Sequence, residues 1–304
     1  MSRSAPERRL ERLDWTVVRR LDGLLQGEYR TVFKGHGLDL ADIREYAVGD
    51  DVRHIDWNVT ARLDTPYVRE FHEDREISAQ FLLDVSPSID FGTVDRRKRD
   101  LLVDFVAVLA RLLTRRGNKV GATIYGSRVE RTIPARGGRI QVLRVINELE
   151  RRPRLERAPL TSLAELLDHG MRTLRRRSLV FVVSDFFSAA GWEERLVRLA
   201  RRHETLAIRL LDPREFDLPD IGLVVLTDSE TGEQLRVDTH DPRFRTRFVE
   251  AARRREERLA TAFARAGVDS LVLRTDEDLV AAIVRFAYAR KRRAVRRRAM
   301  GATA

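Results

Sequence analysis

Apolar residues in this chain follow two alternating patterns, and each predicts a different element. Continuous apolar runs such as 79–85 and 179–183 are typical of strands buried on both faces of a parallel sheet. Longer segments between the runs repeat apolar residues every three or four positions, which predicts helices. The predicted strands are 79–85, 119–125, 128–133, 179–183, 205–211 and 270–273, and the predicted helices are 96–116, 138–151, 163–176, 192–202, 243–266 and 277–290. This alternation predicts an α/β fold in which helices cover both faces of a mostly parallel sheet.

The alternating region, 77–290, is flanked and interrupted by segments of other character. Residues 1–27 predict an amphipathic helix that docks on the core, with a membrane-surface helix as the alternative. Residues 28–76 predict a β-rich appendage of short strands and turns, in which Trp57, Tyr67 and Phe71 need burial. Within the alternating region, 212–239 holds two short apolar runs around a turn-rich loop, 228–232, and predicts an inserted β-hairpin.

Composition narrows the class of protein. The chain has 304 residues, of which 43% are hydrophobic, so a large core is expected rather than disorder. It contains no cysteine, which excludes disulfides, cysteine-ligated zinc and thiol nucleophiles. No apolar run approaches the roughly 18–20 residues that span a bilayer, and charges occupy the place of a signal peptide's apolar region. We therefore expect a cytoplasmic protein.

The net charge of +11 is concentrated at one end of the chain. Residues 290–298 carry seven cations and no acid, which leaves 11 − 7 = +4 for the remainder. We interpret the tail, 291–304, as a solvated extension of the last helix, because aromatic residues that stack on bases are absent there. Binding to nucleic acid or to anionic membrane is the alternative.

Acids and hydroxyls follow two of the buried strands. The first strand ends in Asp84-Val85-Ser86-Pro87-Ser88, and the strand 179–183 is followed by Ser184-Asp185. Thr161 precedes a predicted helix and is expected near the same edge, where ligands of open parallel sheets bind. Oxygen donors of this kind suit a hard divalent cation such as Mg²⁺ or Mn²⁺. The predicted metal set is Asp84, Ser86, Ser88, Thr161 and Asp185, with Ser162 competing with Thr161, and simple capping roles are the alternative.

The metal set resembles the metal-ion-dependent adhesion site of von Willebrand factor A domains. The upstream stretch 44–62, REYAVGDDVRHIDWNVTAR, is similar to the signature of a bacterial family called domain of unknown function 58. That resemblance implies a von Willebrand factor A-like (Rossmann-like) domain and, as partner, an AAA+ ATPase of the MoxR type. It also implies that an acidic residue of a protein ligand completes the metal's coordination. Pro87, which stiffens the loop, and the unusual setting of Thr161 depart from the pattern.

Charges of alternating sign surround the aromatic residues of the upstream stretch. Because arginine forks pair with carboxylates, we interpret them as an internal ion-pair network, with a docking surface for a partner as the alternative. The candidate partner-binding residues are Arg44, Asp50, Arg53, Asp56, Trp57 and Arg62.

Enzyme motifs are missing from the sequence. There is no phosphate-binding Gly-x-x-x-x-Gly-Lys-Ser/Thr, no His-Glu-x-x-His and no Gly-x-Ser-x-Gly. With the oxygen-donor set, this absence favours a non-catalytic, Mg²⁺-dependent protein-interaction module, and the family resemblance implies that it is an adaptor or co-chaperone of the ATPase. The alternative is a nucleic-acid-binding protein or metal-dependent nuclease that uses the basic tail and the acidic strand ends.

Overall fold

Six strands pair into one sheet in a computed structural model of the chain, which describes residues 4–24, 43–47, 50, 52, 55–63, 65–69, 78–94, 96–153, 158 and 160–301. The described strands are β1 (Ile43–Glu45), β2 (Tyr67–Arg69), β3 (Ser78–Asp84), β4 (Lys119–Tyr125), β5 (Val129–Arg136), β6 (Leu179–Ser184), β7 (Glu204–Leu211), β8 (Leu223–Thr227), β9 (Gln234–Asp238) and β10 (Asp269–Arg274). The sheet order is β10-β7-β6-β3-β4-β5. Neighbours are parallel, except that β5 runs antiparallel to β4 at the edge.

Helices join these strands along the chain. They are α1 (Ala5–Leu13), α2 (Arg19–Leu24), α3 (Trp57–Leu63), α4 (Lys98–Arg115), α5 (Gly138–Glu150), α6 (Leu163–Thr173), α7 (Trp192–Arg202), α8 (Pro242–Ala266) and α9 (Leu279–Gly301). A π-helical turn, Asp14–Val18, connects α1 to α2, and short 3-10 helices, Pro87–Asp90 and Pro213–Glu215, follow β3 and β7.

The central strand β3 divides the apolar residues into two cores, because successive side chains of a strand point to opposite faces. Phe81 and Leu83 belong to a cluster that includes apolar residues of α1, α4, α5 and α9. Leu82 belongs to a second cluster, with apolar residues of α6, α7 and α8. Helices thus cover both faces of a mostly parallel sheet, which confirms the predicted α/β fold.

The N-terminal helix packs on the first of these cores. Leu10 and Leu13 are buried in it, and Arg9 lies between two acids of the neighbouring helices. The Arg9 guanidinium donates to Asp104 at 2.7 Å and to Glu150 at 3.1 Å. This packing agrees with a helix docked on the core rather than one lying on a membrane.

The described part of the upstream appendage contains both strand and helix. β1 and β2 are short strands of the kind predicted, and they pair antiparallel, but Trp57–Leu63 forms a helix that the sequence interpretation missed. Asp56 starts this helix, because its carboxylate accepts the Val59 amide at 3.3 Å. The expected burial of Trp57 is wrong, since its side chain is 70% exposed. Tyr67 is half-buried, and Phe71 lies outside the described residues.

The inserted hairpin forms a small sheet of its own. β8 and β9 pair antiparallel, with Val224 opposite Val237 and Leu226 opposite Leu235. Thr239 closes the base, because its amide and hydroxyl both donate to the Gly222 carbonyl, at 2.9 and 2.7 Å. The hairpin lies between β7 and α8 in the chain, where the sequence predicts it.

The last helix is longer than predicted, since α9 continues to Gly301 through most of the basic segment. Two arginines at the start of that segment form ion pairs with acids of the central sheet. Arg290 pairs with Glu204 and, at 3.0 Å, with Asp269, and Arg293 also contacts Asp269 at 3.0 Å. The segment has no proline to stop the helix, and these ion pairs tie it to the first residues of β7 and β10.

Candidate metal and partner site

The site lies at the carboxyl ends of the two central strands. β3 and β6 are parallel neighbours, so Asp84 at the end of one and Asp185 just after the other meet at the same edge. Both side chains are completely buried. The parallel register therefore brings together two acids that lie a hundred residues apart in sequence.

Asp84 is held by the loop that follows it and by the neighbouring strand. Its Oδ1 accepts the Ser86 amide at 3.0 Å, and its Oδ2 accepts the Ser184 hydroxyl at 2.7 Å. The Ser86 and Ser88 hydroxyls lie 3.2 Å apart and share a hydrogen bond. The 3-10 helix Pro87–Asp90 turns the chain directly after Ser86 and places Ser88 beside it.

The buried Asp84 carboxyl lies close enough to the charge of Asp185 for its own ionisation to be disfavoured. Burial, followed by the nearby charge of Asp185, raises the pKa of Asp84 to about 7, against the lowering effect of its hydrogen bonds from Ser184 and Ser86. A cation beside Asp84 would relieve this repulsion.

Thr161 and Ser162, which compete for the third hydroxyl, have different surroundings. Ser162 is the N-cap of α6, and its hydroxyl accepts the Glu165 amide at 3.4 Å. Thr161 is buried one residue earlier. Its amide donates to Glu230 Oε2 at 2.8 Å, and its hydroxyl donates to Glu230 Oε1. Thr161 thus faces a carboxylate from the inserted hairpin, whereas Ser162 serves as a helix cap.

Asp185 has a built-in cationic partner. The ammonium of Lys98, at the start of α4, lies 2.7 Å from Asp185 Oδ2 and 2.6 Å from Glu215 Oε1. Burial lowers the pKa of Lys98, but the two carboxylates outweigh it and leave the pKa above its usual value. Burial also leaves the pKa of Glu215 raised in spite of Lys98.

Two arginines extend this charged cluster. Arg209, the β7 residue that pairs with Ser184 in register, is buried and forms an ion pair with Glu256. Burial lowers the pKa of Arg209 to about 10. The Arg255 guanidinium lies 4.1 Å from the centre of the Phe187 ring. The Asp185 side of the site therefore carries its own compensating cations.

Phe186, next to Asp185, has a strained backbone. Its φ of 58° is the only positive value at a non-glycine residue within the described ranges. The ring packs against Trp192 and Phe263, at centroid distances of 5.4 and 5.0 Å. This aromatic packing holds the turn that directs Asp185 towards Lys98.

The oxygens of the Asp84 side fit a hard divalent cation in their chemistry. Asp84, Ser86 and Ser88 offer a carboxyl group and two hydroxyls, all hard donors. Across the described ranges, no three His, Cys, Asp or Glu side chains gather where they could hold a metal ion together. A metal at this edge would therefore depend on hydroxyl oxygens, and it would share Asp185 with Lys98.

The candidate partner residues upstream are only partly described. Asp50 accepts the Ala47 amide at 2.8 Å, Asp56 is buried, and Trp57 and Arg62 are exposed. Arg53 lies outside the described residues, and of Arg44 only the backbone, in β1, is described. Both the ion-pair interpretation and the docking interpretation of this stretch remain predictions.

Three charged residues of the site were missed from the sequence: Lys98, Glu215 and Glu230. Lys98 left a signal, because Leu101, Leu102 and Phe105 follow at helical spacing and place it on the buried face of α4. Glu215 and Glu230 sit in a short 3-10 helix and a hairpin turn, whose approach to the site no periodicity indicates.

Comparison with known proteins gives one family and several relatives. Residues 42–258 match the family described as "Protein of unknown function DUF58". An uncharacterized protein of Mycobacterium tuberculosis H37Rv is 39% identical over 286 residues, covering 94% of this chain and 90% of the relative. One of Mycobacterium avium is 40% identical over 163 residues, covering 54% of this chain and 96% of the relative.

Two solved structures are similar at low identity. The conserved hypothetical protein BatB from Bacteroides thetaiotaomicron has a TM-score of 0.44 and 13% identity, covering 71% of this chain and 99% of that one. The SpRpn10 VWA domain has a TM-score of 0.39 and 11% identity, covering 69% of this chain and 94% of that one.

Among the described residues, no helix combines the length and apolar content needed to cross a membrane.

Proposed function

Because this chain belongs to the DUF58 family, we propose that it is a non-catalytic, Mg²⁺-dependent protein-interaction module that acts with an AAA+ ATPase of the MoxR type. The observation that carries the proposal is the buried Asp84 carboxyl beside the Ser86 and Ser88 hydroxyls, at the carboxyl end of a central strand. The von Willebrand factor A-like fold supports a role in protein interaction.

The chemistry of the donors favours recognition over catalysis. Mg²⁺ or Mn²⁺ bound mainly by neutral hydroxyls keeps most of its positive charge and attracts a further anionic ligand. A partner's aspartate or glutamate would supply that ligand. The ion would be held by Asp84, Ser86, Ser88 and Thr161. Asp185, which follows β6 and already pairs with Lys98, would assist these ligands.

Calorimetric titration of EDTA-treated protein with Mg²⁺ and Mn²⁺ tests the metal site. We expect saturable binding that is lost in Asp84→Ala and Asp84→Asn, because either change removes the carboxylate. Asp90→Asn, at the end of the same 3-10 helix, should retain binding, since Asp90 pairs with Arg99 instead. Equal binding by all four proteins would contradict the assignment of the ligands.

Affinity purification of the MoxR-type ATPase tests the partner. We expect the full-length protein to retain the ATPase in Mg²⁺ and to release it in EDTA. Retention that does not depend on metal would refute the metal-bridged mechanism.

Nucleic-acid binding through the basic end of α9 is the competing function. Removing residues 294–304 keeps the ion pairs of Arg290 and Arg293 and deletes three of the seven clustered cations. A steep salt dependence of duplex binding that flattens in this variant would favour the competing function.

A further inference from the structure

The turn of the inserted hairpin places a carboxylate directly on the predicted third hydroxyl of the site. Glu230 is 6% exposed. One of its carboxylate oxygens accepts the Thr161 amide at 2.8 Å, and the other accepts the Thr161 hydroxyl. The Ala158 amide also donates to the Glu230 carbonyl at 3.2 Å. The hairpin tip is thus bound to the segment that precedes α6.

Hydrogen bonds within the turn fix the backbone conformation around Glu230. Asp228 Oδ1 accepts the Glu230 amide at 2.9 Å and the Thr231 amide at 2.8 Å. Gly232 donates to the Asp228 carbonyl at 2.9 Å and has a φ of +74°, which glycine adopts without strain. These local hydrogen bonds therefore set the backbone position of Glu230 within the turn itself.

The middle of the hairpin stands away from the body of the protein. A cavity of about 910 Å³ lies between β8, β9 and α8, lined by apolar residues that include Val224, Leu226, Phe248 and Ala252. The base is closed by Thr239 and Gly222, and the tip by Glu230. The hairpin is held at its base and at its tip, and a cavity lies beneath its middle. The tip can therefore detach from Thr161 without disturbing the central sheet.

We propose that Glu230 is a built-in ligand that takes, at Thr161, the place of a partner's carboxylate, so that the hairpin tip and the partner compete for the site. This inference rests on the proposed function, in which a partner's acid binds here. The partner's apparent affinity is then reduced by the fraction of molecules whose tip is released. A partner that also binds the freed hairpin would open the site further.

The competition can be measured with a synthetic peptide of residues 227–234, which contains the Glu230 turn. In full-length Glu230→Ala protein, the nuclear magnetic resonance signal of the Thr161 amide should shift saturably as this peptide is added. The same peptide carrying E230Q should shift it far less, because one acceptor oxygen is lost. Wild-type protein should not respond, since its own Glu230 occupies Thr161.

Glu233→Ala is the matched control, since Glu233 is an exposed glutamate in the same turn. It should behave as wild type does. Glu230→Gln protein keeps the size of the side chain and should respond in the same direction as Glu230→Ala. No peptide response in either Glu230 variant, or an equal response in wild type, overturns the inference.

Retention of the MoxR-type ATPase separates this inference from the proposed function. We expect Mg²⁺-dependent affinity to rise about tenfold or more in Glu230→Ala and to stay unchanged in Glu233→Ala. Mg²⁺-dependent retention that is equal in wild type and Glu230→Ala overturns the competition and leaves the function standing. A positive peptide response with no Mg²⁺-dependent retention in any variant shows that Thr161 accepts an added carboxylate, but it refutes the proposed function and with it the competition with a partner.

Discussion

Single residues decide how charge is balanced at the ends of β3 and β6. Lys98 and Glu230 each place one charge against a predicted ligand, the first on Asp185 and the second on Thr161. Neither residue belongs to the Asp-x-Ser-x-Ser motif around Asp84. The motif identified the strand end from the sequence. Lys98 and Glu230 come from a helix start and a hairpin turn, which only folding brings close to that strand end.

Lys98→Met tests the charge balance at the residue scale. The change leaves the buried Asp185 and Glu215 carboxylates without their common cation, so we expect the free energy of unfolding to fall by about 3–5 kcal/mol. Urea denaturation measures it. Lys119→Met, at an exposed lysine, should change stability by less than about 0.5 kcal/mol. A loss in Lys98→Met no larger than in this control would contradict the structural role.

Whole elements were predictable where their periodicity was long and regular. The helix over 192–202 and the strand over 119–125 were predicted with the observed bounds. α3 was missed because its seven residues are too few to show a periodic apolar face, and a cap at Asp56 starts it. The boundary of the last helix was set too early, at 290, but α9 continues through the segment that was interpreted as its solvated extension.

Leu10→Ala tests at the element scale whether α1 is part of the core. Leu10 is completely buried in the cluster shared with α4 and α5, so its truncation leaves a cavity. We expect a loss of about 2–5 kcal/mol in unfolding free energy, measured by urea denaturation. Trp15→Ala in the adjoining π-helical turn is the control, because Trp15 is 68% exposed and should matter little. Equal, small losses in both variants would mean that α1 is not docked.

At the scale of the whole molecule, buried polar residues tie distant parts of the chain to the sheet edge. Asp212, just after β7, accepts the Thr93 amide at 2.9 Å and the Thr93 hydroxyl at 2.5 Å. It also accepts the Thr275 hydroxyl at 2.9 Å, after β10. The Asp212 carboxylate thus links three places: the loop after β3, the end of β7 and the residue that follows β10.

Asp212→Asn therefore tests how the stability of the whole folded chain depends on pH. Burial acts to raise the pKa of Asp212, but the hydrogen bonds from Thr93, Arg214 and Thr275 outweigh it and leave the pKa below its usual value. A lowered pKa stabilises the fold above the unfolded-state pKa of about 4, and that stabilisation is lost as pH falls through the folded-state value.

We expect Asp212→Asn to cost about 1–3 kcal/mol of unfolding free energy at pH 7, with the difference from wild type shrinking below about pH 4. Urea denaturation across this pH range measures both quantities. Asp217→Asn, at an exposed aspartate, should show neither effect. A difference between Asp212→Asn and wild type that is constant with pH would contradict the role of the ionised carboxylate.

The sequence by itself determined the α/β class, the alternation of the elements, the inserted hairpin and the strand ends that carry Asp84 and Asp185. These follow from local patterns of apolar residues, which reflect which face of each element is buried. Tertiary structure alone decided that Lys98 neutralises Asp185 and that Glu230 reaches Thr161. Those contacts join residues 87 and 69 positions apart, and they depend on how a helix start and a hairpin turn are packed, which no local pattern encodes.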